Sequence, residues 1–178
     1  MGPCRKELLS SAQQFCEAFS RKEDITNLLS HFSTTHQISA IEHGEPSLAP
    51  FLGKSFSGTT GVQSYFEMIS SLLSYENMTF SEFVVDTEAR KVALKGNARF
   101  TWIATAERWE ETFAYMLDFD EEGKVAEYQV WADSGAAYLA RIGKLKNMRL
   151  SGDFLNNRHG HNVEKHNTDV APTTRFEG

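Results

Sequence analysis

Between Leu73 and Phe80 the spacing of apolar side chains changes from about 3.6 residues to 2, and this change constrains the fold more than any other feature of the chain. A period of 3.6 places apolar groups on one stripe of a helix, and a period of 2 places them on one face of a strand. A chain with helices written first and strands second puts the two in separate layers of an α+β domain, not in alternating βα units. In the first half, Leu8, Ala12, Phe15 and Phe19, widened by Leu9 and Cys16, predict one helix. Ile25, Leu28, Leu29 and Phe32 predict a short second helix that begins near Asp24. A polar alternation from Thr34 to Glu42 reads as a strand, broken by Gly44, Pro46 and Pro50. Thr60 and Gln63 have capping-box spacing, and Val62, Tyr65, Phe66, Ile69, Leu72 and Leu73 continue as the face of a third helix.

The second half reads as an antiparallel meander. Phe80 to Val85 and Val92 to Thr105 flank a polar turn at 86–91. In the longer strand Val92, Leu94, Gly96, Ala98, Phe100, Trp102 and Ala104 share one face, and Lys95, Asn97, Arg99, Thr101 and Thr105 the other. Trp109, Phe113, Tyr115, Leu117 and Phe119 give the buried face of the next strand, which turns at Glu121-Glu122-Gly123 into Val125 to Asp133. Ser134 to Arg141 predicts a closing helix capped by Asp133 or Ser134.

These elements occupy residues 1–144, enough for one domain with a full core. Residues 1–143 carry 12 basic and 20 acidic side chains, whereas 144–178 carry 6 and 4. The second stretch has few apolar groups after Leu155, so 145–178 reads as a tail, mostly disordered. A net charge of -6 argues against generic nucleic-acid binding, and no apolar run approaches the roughly 18 residues of a membrane span. Without a signal-peptide core near its start, the chain is expected in the cytoplasm, with Asn77-Met78-Thr79 an unused glycosylation sequon. Pro3 and Lys6 do not suit a myristoylation signal. Cys4 and Cys16, if on one helix, are too far apart to form a disulfide.

Two stretches carry a resemblance. Phe51 to Phe66 (FLGKSFSGTTGVQSYF) resembles the G-x-x-G-V-x-x-Y-F entry into helix three of the NTF2-like superfamily. Phe119 to Asp133 (FDEEGKVAEYQVWAD) resembles that superfamily's D-x-x-G-K-I hairpin into the last strand. Over residues 5–141 the order of elements is most similar to the SnoaL-like branch, which includes polyketide cyclases and ketosteroid isomerase. The resemblance implies an α+β cone in which a curved, mostly antiparallel sheet wraps a long helix, with two further N-terminal helices. It also implies an apolar pocket and a homodimer. Strand parity puts Ile38, Ala40, Glu42, Phe100, Trp102, Phe113, Tyr115, Leu117, Tyr128 and Val130 on the concave face, with Cys16 and Phe66 facing it from the helices. Ile38, Ala40, Phe66, Phe100, Trp102, Phe113, Tyr128 and Val130 are the expected ligand-binding set.

The family's known chemistry does not transfer residue by residue. Ketosteroid isomerase pairs an Asp base with an oxyanion hole of Tyr and protonated Asp. Here the base position aligns with Ala40 and the second acid with Tyr115, while the hydrogen-bonding tyrosines align with Cys16, Phe32 and Phe66. The acid/base Asp of SnoaL-type cyclases, carried through Gly123-Lys124-Val125, falls on Val130. An enzymatic role therefore rests on Glu42 and Tyr115, aided by Tyr128 and His36, with a carboxylate and phenol donors for cofactor-free isomerisation, cyclisation or hydrolysis of an apolar polyketide or terpenoid-like metabolite. The contrasting expectation is a ligand carrier or a protein-interaction module. In the bland readings Glu42 is a solvated rim charge and the tyrosines are satisfied core residues.

Other patterns are weaker. Gly53-Lys54-Ser55 resembles the end of a P-loop, but Leu48 stands at the first glycine and Pro50 interrupts the loop. His159, His161 and His166 read as solvated, not as metal ligands, and Asp118, Asp120, Glu121 and Glu122 as a solvated edge. No cofactor or metal is expected. Trp131, Ile103 and Met116 interrupt polar outward rows and mark an expected two-fold interface, with Trp131 at its centre.

Overall fold

The structure, a computed structural model, describes residues 2–151. Met1–Leu145 forms one compact unit. Its elements are α1 (Arg5–Ser20), α2 (Ile25–Ser30), β1 (Ser39–His43), β2 (Ser55–Ser57), α3 (Gly58–Leu72), β3 (Leu73–Asp86), β4 (Lys91–Trp102), β5 (Glu107–Phe119), β6 (Val125–Trp131) and α4 (Ser134–Arg141). In the second unit, residues 146–151 are helical. The rest of the tail reading, with His159, His161 and His166, lies outside the described residues.

The strands form one curved, unclosed sheet in the order β2-β1-β6-β5-β4-β3. Only β1 and β6 run parallel; Ala40 pairs with Tyr128 and Glu42 with Val130. The crossing is prepared upstream, where Ser33 N–H donates to the Val125 carbonyl at 2.8 Å and Val125 N–H to the His31 carbonyl at 2.9 Å. The helices cover the concave face through α1, whose apolar stripe buries Leu8, Ala12, Phe15, Cys16 and Phe19. Phe15 is fully buried and meets Phe19, Phe32 and Tyr128 edge-on, with ring centroids 5.1 to 5.6 Å apart. Asp24 caps α2 by accepting from Asn27 N–H at 2.9 Å, and Asp133 caps α4 by accepting from Ala136 N–H at 2.9 Å.

Several boundaries differ from the sequence reading, each for a physical reason. Helix α3 starts at Gly58, so Thr60 and Gln63 lie inside it and form no capping box; Gln63 Nε2 instead donates to Glu67 at 2.7 Å. Strand β3 begins at Leu73, directly after α3, and not at Phe80. Its polar start, Ser74 to Asn77, sits on an edge strand with two register shifts and positive φ at Asn77 and Glu82. Solvated, bulged edges carry no alternation to read. β4 ends at Trp102, where Ala106 N–H closes a turn onto the Trp102 carbonyl at 2.9 Å. Ile103 therefore belongs to that turn and not to an outward row of the sheet. The acidic turn is not wholly solvated either: Asp120 is 2% exposed, and its Oδ1 accepts from Glu122 and Lys124 N–H at 2.9 and 2.8 Å. Cys4 is exposed and Cys16 buried, and both are free thiols. Among the described residues no helix is long and apolar enough to cross a membrane.

Candidate active site

The concave face of the sheet, α3 and the start of α4 enclose a cavity lined almost entirely by aromatic and aliphatic groups. Water-molecule centres can occupy about 60 Å³ of it. One water needs roughly 10–15 Å³ on that measure, so the space suits a small ligand or one ring of a larger one. Alternation supplies the walls: Phe100 of β4, Trp109, Phe113 and Tyr115 of β5, and Tyr128 and Val130 of β6 all point inward. Gly96 makes room for the Phe113 ring of the wall, because a Cβ there would collide with it. Tyr115 and Tyr128 meet edge-on at 4.9 Å, and Phe100 stacks with Trp109 at 5.6 Å.

Two carboxyl groups enter this apolar space. Glu42, on β1, has its backbone fixed by the β6 pairing and by Gly53 N–H, which donates to the Glu42 carbonyl at 2.8 Å. The residue is half-buried because it faces the cavity. Burial raises its pKa from 4.5 to about 7, against a hydrogen bond that favours the charged form and with help from the charge of Glu111. That hydrogen bond comes from Tyr65 of α3, whose hydroxyl donates to Oε2 at 3.0 Å. At neutral pH Glu42 is thus divided between acid and base forms.

Glu111 of β5 is 8% exposed. It accepts from the Trp109 indole N–H at 2.5 Å and from the Asp133 backbone N–H. Burial raises its pKa too; those two donors oppose the rise, and the charge of Asp133 adds to it. Asp133 also lines the cavity while capping α4, so Glu111 ties the end of β6 to the wall of β5. Burial holds the phenols of Tyr65, Tyr115 and Tyr128 well above their ordinary pKa, so they serve as neutral hydrogen-bond donors.

Of the residues expected from sequence, Glu42, Tyr115, Phe66, Phe100, Phe113, Tyr128 and Val130 line the cavity. Ile38, Ala40 and Trp102 are buried but do not line it; Ala40 is short and fully covered, and Trp102 stacks on Phe51 at 6.4 Å. His36 is not in the site: it is exposed, with Nε2 3.2 Å from Glu121. Tyr65, Trp109, Glu111 and Asp133 also line the cavity, beyond the residues that the resemblance and strand parity point to. Glu111 was legible, since it shares its parity with Trp109 and Phe113 and so is a carboxylate within a buried row. Tyr65 looks like any aromatic on a helix stripe until β1 is placed opposite it. Among the described residues no His, Cys, Asp and Glu group is arranged to hold a metal ion.

No family model matches the chain, and no curated protein matches it by sequence. Solved structures do. An NTF2-like protein of unknown function from Burkholderia pseudomallei superimposes with a TM-score of 0.64 at 15% identity, covering 75% of this chain and 96% of that one. AusH from Aspergillus nidulans matches with a TM-score of 0.56 at 28% identity over 74% of this chain and 87% of that one. The BvnE pinacolase from Penicillium brevicompactum matches at 0.58 and 17% identity, over 83% and 99%. The chain has the NTF2-like fold, as the sequence resemblance implied.

Proposed function

We propose that this protein is an acid/base enzyme that isomerises, cyclises or hydrolyses a small, largely apolar molecule of polyketide or terpenoid type, using its own side chains as proton carriers. The observation that carries this reading is the Glu42 carboxyl, poised near pH 7 inside an aromatic cavity and held by the Tyr65 hydroxyl at 3.0 Å. A general acid/base works best with a pKa near the operating pH, because both protonation states are then populated. In this scheme Glu42 removes a proton from a carbon made acidic by a neighbouring carbonyl. The phenols of Tyr115 and Tyr128 donate to the carbonyl oxygen as charge develops. Glu42 then returns the proton elsewhere on the same molecule. The similarity to a pinacolase is consistent with rearrangement chemistry in this fold. A carrier would favour a cavity without carboxyl groups, and an interaction module one filled by its own side chains; the two glutamates and the remaining space weigh against both.

The test is deuterium uptake from D2O by a panel of cyclic ketones, lactones and terpenoid-polyketide hybrids, measured by mass spectrometry. Wild type should exchange at least one member, and Glu42→Gln should lose about 100-fold or more of that rate. Equal exchange by the variant, or a Glu42 carboxyl that titrates near 4.5 by carbon NMR, would sink the assignment.

A further inference from the structure

The cavity has a pronounced charge bias, of which the proposed reaction uses only Glu42. Among the described residues that line it, two glutamates and Asp133 are acidic and none is Lys, Arg or His. Lys22 comes close from outside, 5.2 Å from the centroid of the Tyr75 ring, but is not part of the lining. Aromatic walls add to the bias. Ring faces are electron-rich, and an organic cation set against them in a dry site gains more than at the surface. An anionic ligand would find no partner charge and would face two carboxyl groups in low dielectric.

We infer that the site selects its ligand by charge: it takes a compact positive centre with apolar substituents, of the organic ammonium type, against Glu42, Glu111 and the aromatic wall, and rejects carboxylates of the same shape. This deepens the reading of the cavity as a small-molecule site and rests on it. The groups facing Glu42 are Tyr65 of α3, Glu111 and Tyr115 of β5, and Tyr128 of β6, and none of them is cationic. A bound cation therefore supplies the positive charge that the groups facing Glu42 do not, and its affinity rises with pH as Glu42 ionises.

The test uses three compounds of nearly one shape with the full chain: choline, its neutral isostere 3,3-dimethylbutan-1-ol, and the anion 3,3-dimethylbutanoate. Binding is read by calorimetry at pH 5.5 and 8.5. At pH 8.5 choline should bind about tenfold or more tighter than the alcohol, the preference should shrink at pH 5.5, and the butanoate should be the weakest at both. In Glu42→Gln choline should lose most of its advantage while the alcohol binds as before, which also reports an intact cavity. An alcohol that equals choline at pH 8.5, or a butanoate that exceeds either, overturns charge selection and leaves the cavity reading standing. Binding by none of the three overturns both.

Discussion

Replacing Glu42 by Gln should stabilise the protein at alkaline pH, although it removes the residue to which the proposed reaction assigns the proton transfer. Below pH 4.5 the carboxyl is protonated in both the folded and the unfolded chain and contributes no pH dependence. Between 4.5 and about 7 the unfolded chain releases this proton while the folded one keeps it, so wild-type stability falls as pH rises, and above about 7 the loss is complete. At about 1.4 kcal/mol per tenfold change in the proton equilibrium, the interval from 4.5 to about 7 amounts to on the order of 3 kcal/mol. Gln carries no charge and can still accept from the Tyr65 hydroxyl, but its amide N–H groups need partners at a cost of about 1 kcal/mol. The expected net gain at pH 8.5 is about 2 kcal/mol, or roughly 4 to 8 °C in Tm for a domain of this size. At pH 4 the two proteins should agree within about 1 kcal/mol. Urea unfolding of both at the two pH values is the assay. Glu111 shares the sign of this effect, and because its charge repels that of Glu42, the difference between the two proteins reports Glu42 together with its coupling to Glu111. A Gln variant that is no more stable than wild type at pH 8.5, or a difference independent of pH, would refute a carboxyl raised by burial.

Tyr65→Phe removes the hydrogen bond that favours the Glu42 carboxylate, so the Glu42 titration followed by carbon NMR should move further above 7; an unchanged or lower midpoint would show that the contact does not form in solution. Gly96→Ala forces the Phe113 ring off the strand and into the cavity, with an expected loss of about 1 to 3 kcal/mol in urea unfolding; a neutral result would mean that the ring does not cover Gly96. Trp131, 41% exposed and stacked on His43 at 4.2 Å, is the proposed centre of a two-fold interface. Sedimentation equilibrium should find a wild-type dimer and a folded Trp131→Asp monomer, and a monomeric wild type at micromolar concentration would remove the proposal.

Periodicity along single helices and strands sorts most apolar residues between core and surface. The stripe from Leu8 to Phe19 and the alternation from Val92 to Trp102 set local geometry, because side-chain direction along one helix or strand repeats within a few residues. The same parity was enough to bring Glu42, Tyr115 and Tyr128 to one concave face. Glu111 was within reach of that rule, yet a charged residue in an apolar row invites the assumption that it turns outward. β2, three residues long, and the polar start of β3 gave no period to read, since edge strands are held by backbone pairing and not by buried side chains. Which groups meet across elements depends on how those elements pack. The Tyr65 hydroxyl reaches a carboxylate 23 positions earlier because α3 packs against β1, and the Asp133 N–H reaches Glu111, 22 positions earlier, because β6 pairs with β5 before turning into α4. The protonation state of Glu42 follows from that assembly, because the desolvation that raises its pKa comes from walls contributed by several distant segments and exists only once they have closed around it.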